Sequence, residues 1–413
     1  MQLLEGELVL SASDLTGFAA CEHLTQLELS VVRGERTRAT RDDPMLDVLS
    51  RRGTEHERKH LEHLKAQGKT VVEIPDGSRT RAELREAQDA TVEAMRAGAD
   101  AIYQATFFTE APANLDGAGA HPRPSSWRGH ADFLLRVDTP STPSRFGEWS
   151  YEVADTKLAR RVKAAAILQM CAYSEQLAPL QGVTPAQVHV VTGDGEPHPF
   201  RLADYSAYYR HLKGRYEALV GEAIAGAPRD TYPDPVDHCG ICRWAEQCKD
   251  RRRADDHLSL VSGLRRDQVH KLAAVGVTTR VELAKAPDDL HVPGMAERSV
   301  ARLAHQARLQ VEGKDAHPPI YEVLPPERTD LPDPADPEQR WPQRGWAALP
   351  EPSPGDLFFD MEGDPYALDD ATDDGFGDTG LEYLFGVIEL TGSDRRPGRR
   401  SHERAPLPQL LGA

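Results

Sequence analysis

Two short apolar runs carry the residues best suited to chemistry. Residues 149–157 read Trp-Ser-Tyr-Glu-Val-Ala-Asp-Thr-Lys, and residues 130–137 place Asp132 ahead of Phe-Leu-Leu. Both runs predict strands, and side chains two apart on a strand share a face, so Asp155 and Lys157 project together. The turn-rich segment between the runs suits a hairpin, which would set Asp132 beside Asp155. Two carboxylates, with water completing the shell, hold Mg2+ or Mn2+. Such a cation acidifies a bound water and stabilises charge on a phosphoryl oxygen, and a lysine alongside orients that water or the developing oxyanion. Metal, water and lysine are sufficient parts for phosphodiester hydrolysis. Taken alone, Asp-x-Lys on a strand is also an ordinary surface ion pair.

A second constellation is made of thiols. Cys239, Cys242 and Cys248 form a C-x2-C-x5-C run, and Cys21 stands 217 residues upstream. Thiolates at this spacing chelate Zn2+ or an iron–sulfur cluster. Structural zinc usually takes two close pairs, which a three-plus-one layout does not offer. Cys171 falls in the middle of a helical pattern and reads as a buried thiol.

The elements that must position these groups alternate in type. Residues 45–66 and 80–97 read as helices, the first interrupted at Gly53; residues 160–178 and 203–226 read as two more, with a short strand at 188–192. This order predicts an α/β sheet flanked by helices over residues 1–257. Residues 258–313 change to short helices with tight turns at Gly276 and at Val292, Pro293 and Gly294. Residues 314–354 are Pro-rich and read as a linker. Strand-like runs return at 355–366 and 383–390, the first carrying Asp360 and Glu362 on one face. A domain begun near 355 would hold about 59 residues, too few to finish most α/β domains.

Several of these features together resemble one family. Gly129, His130, Ala131 and Asp132, then Glu152, Asp155 and Lys157, then Gln169 and Tyr173 at i and i+4, resemble the RecB-type branch of the PD-(D/E)XK nucleases. The resemblance implies a restriction-endonuclease-like α/β core with helical insertions. It assigns Asp132 and Asp155 to the metal, Lys157 to the water, and Gln169 and Tyr173 to the DNA path. Gly53, Thr54, Glu55 and His56 look like the family's helix motif, whose His adds a metal ligand; His56, His60 and His63 could equally be solvated on a polar helix. Glu152 points to the other face from Asp155 and ranks below this set. The four cysteines resemble the iron-staple variant, in which one N-terminal and three C-terminal Cys hold a 4Fe-4S cluster; zinc is the alternative. Residues 258–313 resemble a helix-hairpin-helix module, which presents backbone amides to phosphates. Residues 355–413 resemble the start of an RNase H-like exonuclease domain of the DEDD type, with Asp360 and Glu362 as the remnant of its first motif and the later acidic motifs missing. In longer members of this group a helicase follows.

Composition neither demands nor forbids a nucleic-acid substrate. The net charge is −17, yet residues 314–413 hold 9 basic against 21 acidic residues, leaving −5 for the first 313. Basic clusters there include Arg51 with Arg52, Arg160 and Arg161 with Lys163, Lys249 with Arg251 to 253, and Arg265 with Arg266. Local field, not total charge, governs binding. No apolar stretch approaches the roughly 20 residues of a membrane span. The acidic N-terminus lacks a secretory pattern, so a cytoplasmic location is expected. The expected function is metal-dependent cleavage of DNA strands or ends; the alternative is a non-catalytic DNA-binding subunit of a helicase–nuclease complex.

Overall fold

The computed structural model describes residues 1–77, 79–111, 125–138, 140, 142–159, 161–195, 197–322, 356–368 and 379–389. The chain divides into two units, the first holding Met1–Ile320. It is a mixed α/β structure around an eight-stranded sheet. Strands β1 (Gln2–Leu4) and β2 (Glu7–Ser11) lead into helices α1 (Ala12–Ala20) and α2 (Glu22–Val32). Helix α3 (Pro44–Ala66), β3 (Val71–Glu73), α4 (Arg81–Ala97), β4 (Ala101–Thr109), β5 (Ser126–Val137) and β6 (Ser150–Thr156) follow. The lobe continues with α5 (Ala164–Gln181), β7 (Gln187–Val191), β8 (Pro197–Arg201), α6 (Leu202–Ile224) and α7 (Ala245–Ala254).

Strand β5 organises the sheet. One flank pairs with β4 over most of its length. On the other flank, residues 126–128 pair with β2 in parallel, and residues 133–137 pair with β6 antiparallel. The sheet therefore forks along that flank, and residues 129–132 lie in the fork. Beyond it, β6 pairs with β7 in parallel and β7 with β8 antiparallel.

The outer strands are blunted. Where β4 runs past the end of β3, α4 covers its edge: Thr106 N donates to Thr91 Oγ1 (3.0 Å) and Phe108 N to Gln88 Oε1 (2.7 Å). At the opposite end, β8 carries Pro197 and Pro199, a residue type that sheets confine largely to edges.

The main core lies between the sheet and helices α1, α4, α5 and α6, with Leu15, Met95, Tyr151, Leu177 and Tyr216 among its members. Helix α3 seals a smaller cluster on the other face, where Leu61 and Leu64 meet Ala101, Phe133 and Ala154. The helix is amphipathic and capped by Asp43, whose carboxylate accepts from Met45 N and Leu46 N, and it runs through Gly53 without a break. Gly53 costs about 1 kcal/mol relative to alanine, and twenty-three continuous residues packed on the sheet absorb that.

Residues 258–313 form a helical module with a core of its own, built from Leu258, Leu272, Leu283, Val292, Leu303 and Ala307. Its helices are α8 (Arg266–Ala274), α9 (Arg280–Ala284) and α10 (Glu297–Glu312). The Gly276 and Gly294 turns both need a left-handed backbone, with φ of 85° and 75°. The module is tied to α7 through Asp256, which accepts from Arg280 Nε (3.0 Å) and Val281 N (2.8 Å).

In the second unit, β9 (Leu357–Leu368) and β10 (Thr379–Glu389) pair antiparallel. Asp360 and Glu362 are both exposed on β9. The sequence reading ended these strands at 366 and 390; Leu390, Arg160, most of the Pro-rich linker and residues 390–413 lie outside the described residues. Helix α5 begins at Ala164, not at 160, with Lys163 at its N-cap. Among the described residues, no helix is long and apolar enough to cross a membrane.

His60 shows what α3 packing costs. It is 7% exposed, stacks edge-on against Phe133 with ring centroids 5.0 Å apart, and neither ring nitrogen has a hydrogen-bond partner. Burial, with smaller contributions from His63 and His56, holds its pKa down to about 4. A depressed histidine contributes stability at neutral pH that is lost as pH falls from the unfolded value of 6.5 through 4. The expected loss is about 3 kcal/mol. His60→Leu should flatten that part of the pH–stability curve, measured by urea denaturation between pH 7 and 4.

Candidate metal centre and thiol cluster

Asp132 and Asp155 meet at the fork. The Phe133–Ala154 rung of β5 and β6 brings the next residues, Asp132 and Asp155, alongside each other. Asp132 Oδ2 accepts from Thr156 N (2.8 Å) and Thr156 Oγ1 (2.9 Å), which fixes its orientation. Asp155 is fully buried, and its Oδ1 has no donor in hydrogen-bond geometry. Lys157 Nζ forms an ion pair with Asp155 Oδ2. Burial, and then the Asp132 charge, push the Asp155 carboxyl well above the usual range. Burial opposes the Lys157 ammonium, but Asp155, Asp132 and Glu57 outweigh it and hold its pKa up. Two like charges in low dielectric with one ammonium between them make an under-neutralised site. A divalent cation suits that donor set, since hard oxygen ligands are what Mg2+ and Mn2+ take.

Helix α3 supplies two groups. His56 is 2% exposed, and it hydrogen bonds to the backbone at Val191 and Thr192, at the end of β7; burial lowers its pKa. Glu57, which the sequence reading passed over, lies nearer the carboxylates. Its Oε1 accepts from Gln104 Nε2, and it hydrogen bonds with Tyr103. Burial first, then Asp132, raises its pKa. Tyr103 is pushed up to about 12 by burial and by Glu57.

The strands are deformed at this point. Ile102 and Ala105 on β4, and Ala131 and Leu134 on β5, share the main core although each pair is three residues apart. A regular strand would place them on opposite faces. Each strand therefore reverses its alternation once, and the Gln104/Asp132 rung is missing from the register. Gln104 has φ 57°, a left-handed conformation costing on the order of 1–3 kcal/mol for a non-glycine residue. Irregularities of this kind re-aim side chains next to functional sites.

Gln169 and Tyr173 are together on α5, with Gln169 Nε2 donating to Tyr173 OH at 2.8 Å. Tyr173 is only 4% exposed, so Gln169, half-buried, is the member that faces outward. Glu152 is occupied elsewhere: its Oε2 pairs with His189 Nε2 (2.7 Å) and its Oε1 accepts from Gln187 N (2.9 Å).

The four cysteines line one cavity, together with His23, Leu24 and Trp244. Cys21 caps α2, its Sγ accepting from Leu24 N, and Cys239 Sγ accepts from Val236 N, both at 3.4 Å. Fully buried Trp244 donates from Nε1 to Glu28 Oε1 (2.8 Å), which ties the cysteine loop to α2. Burial raises Cys21, Cys242 and Cys248, the last to about 11, and other cysteines of the set add to each shift. Sulfurs that oppose one another's ionisation across an apolar cavity form a site that a cation would relieve. All are unpaired thiols, as is buried Cys171. Among the described residues, no three His, Cys, Asp or Glu side chains stand in a geometry already closed on a metal.

The basic run after Cys248 is neutralised locally. Lys249 pairs with Glu246 (3.6 Å), Arg251 with Asp255 (2.6 Å) and Arg253 with Asp250 (3.2 Å), while buried Arg252 donates to Pro233 O (2.7 Å). The run fits the solvated helix end weighed against a phosphate contact in the sequence.

No family model and no curated protein matches the chain. Among solved structures it is similar to one described as the crystal structure of SSO0001, at 13% identity over 60% of this chain and 89% of that one, with a TM-score of 0.27. A likeness of that size carries no argument about fold or function.

Gly129 controls the seating of α5 over the fork. A Cβ there would lie 2.8 Å from Tyr173 Cδ1 and 3.0 Å from Gln176 Nε2. Gly129→Ala should therefore lower stability by about 1–3 kcal/mol, read from the denaturant midpoint, and should perturb Tyr173 fluorescence.

Proposed function

We propose that the chain is a Mg2+- or Mn2+-dependent nuclease of the RecB-like PD-(D/E)XK type, cleaving phosphodiester bonds in DNA strands or at their ends. The observation that carries this reading is the convergence of Asp132, Asp155 and the Lys157 ammonium in the fork of the sheet. Asp132 and Asp155 would hold the cation, with His56 assisting from α3. The cation supplies an acidified water and charge stabilisation at the phosphoryl oxygen. Lys157 orients the attacking water and offsets charge on the oxygen that develops it. Thr156 holds Asp132 in position, and Gln169 contacts the strand from α5. The four thiols would hold a 4Fe-4S cluster, with zinc as the alternative, clamping α2 to the loop ahead of α7. Closing so long a loop removes chain entropy from the unfolded state. The turns of the helical module would meet the phosphate backbone. Asp360 and Glu362 make no second working centre in this reading, and a helicase acts with the chain as a partner or as a further region.

Lys157→Ala should abolish metal-dependent digestion of end-labelled single- and double-stranded DNA while leaving DNA affinity within about threefold. Equal loss of both would assign Lys157 to phosphate binding or structure. Cleavage that survives Asp155→Ala and disappears with Asp360→Ala would move the activity to the second unit.

Protein purified without oxygen should be brown and absorb near 400 nm, and Cys248→Ser should remove the band. A colourless protein with stoichiometric zinc would replace the cluster by a zinc staple.

A further inference from the structure

The geometry points to Glu57 as a further ligand of the divalent-cation centre, delivered by α3 beside His56 and positioned by Gln104. This deepens the nuclease reading and rests on it. In the sequence, the α3 contribution was His56 alone, because imidazole is the more familiar ligand. The structure places His56 against the backbone at the end of β7 and Glu57 next to Asp132, with Lys157 also in range.

Three observations support the assignment independently. The first is charge. Glu57, Asp132 and Asp155 face one ammonium, leaving two negative charges in a buried place. One divalent cation brings that sum to zero, and burial of an uncompensated pair of charges is otherwise costly. The second is the buried Asp155 carboxylate, whose Oδ1 lacks a donor although the residue is wholly enclosed. Buried carboxylate oxygens are normally paired or bound to metal. The third is Gln104. It occupies the rung opposite Asp132, holds a left-handed backbone that only a compensating role would preserve, and donates to Glu57 Oε1. That bond orients the carboxylate of a first-turn neighbour of His56, as outer hydrogen-bond partners orient metal-binding carboxylates.

The test uses the full chain and Mn2+ alone, followed by the six-line EPR signal of the free ion. Wild type should bind Mn2+, and Glu57→Gln should weaken binding about tenfold or more. The same substitution removes a charge that opposes Asp132, so the metal-free variant should melt at the same temperature as wild type or higher. Weaker Mn2+ binding with undiminished metal-free stability is the signature of a ligand; a structural glutamate would give the reverse. Gln104→Gly relieves the backbone while deleting the donor, and should leave the metal-free fold intact with Mn2+ binding reduced less than in Glu57→Gln. Unchanged Mn2+ affinity in Glu57→Gln, with Asp155→Asn abolishing binding, overturns the role of Glu57 and leaves the nuclease reading standing. Absence of Mn2+ binding in wild type overturns both.

Discussion

The lobe is arranged around a charge imbalance. Asp155 is enclosed by the sheet and α5, beside a second carboxylate, with one ammonium as counter-charge. Such an arrangement is destabilising unless something else neutralises it. The surrounding structure is built to tolerate it. Thr156 gives two hydrogen bonds to Asp132, Lys157 is fixed by its backbone amide to Val191 O (2.8 Å), and Gly129 lets α5 close over the fork. Backbone strain at Gln104 belongs to the same account. Proteins keep local disagreements of this kind at functional sites, where stability is surrendered for chemistry.

The fork explains why the site is here. A continuous sheet would pair both flanks of residues 129–132 and bury them in a ladder. Because β2 leaves β5 after residue 128 and β6 joins at 133, the intervening backbone is open on one side. Side chains from α3 and α5 reach that opening from opposite faces of the sheet, so six residues scattered over more than a hundred positions come to one place. The thiol cavity sits at the other end of the chain's path, where α2 meets the loop before α7, and Trp244 and Glu28 hold that junction without any bond between the sulfurs.

Much of this was legible in the residues. The strands bearing Asp132 and Asp155 announced themselves by apolar runs around a turn-rich link, and α4, α5 and α6 by helical spacing. What escaped notice escaped for physical reasons. Strand β4 contains Gln104 in the middle of an apolar run, and its reversed alternation spoils the period-two signal. Helices α1 and α2 are short, and their clearest mark was the Ser11/Asp14 capping box. Glu57 sits in a helix full of polar residues, where nothing local separates it from Glu55 or Glu62; only its tertiary contact with Gln104 does so. Tyr173 read as a surface contact because its spacing from Gln169 gives a face but not the depth at which that face lies.

The blunted margins of the sheet set limits on how anything can dock. With α4 side chains occupying the amides of β4 and prolines placed in β8, neither margin offers an uninterrupted row of donors and acceptors. An incoming polypeptide cannot extend this sheet by adding a strand of its own. Any companion protein must instead grip the lobe through side-chain surfaces, which leaves the open fork to the substrate.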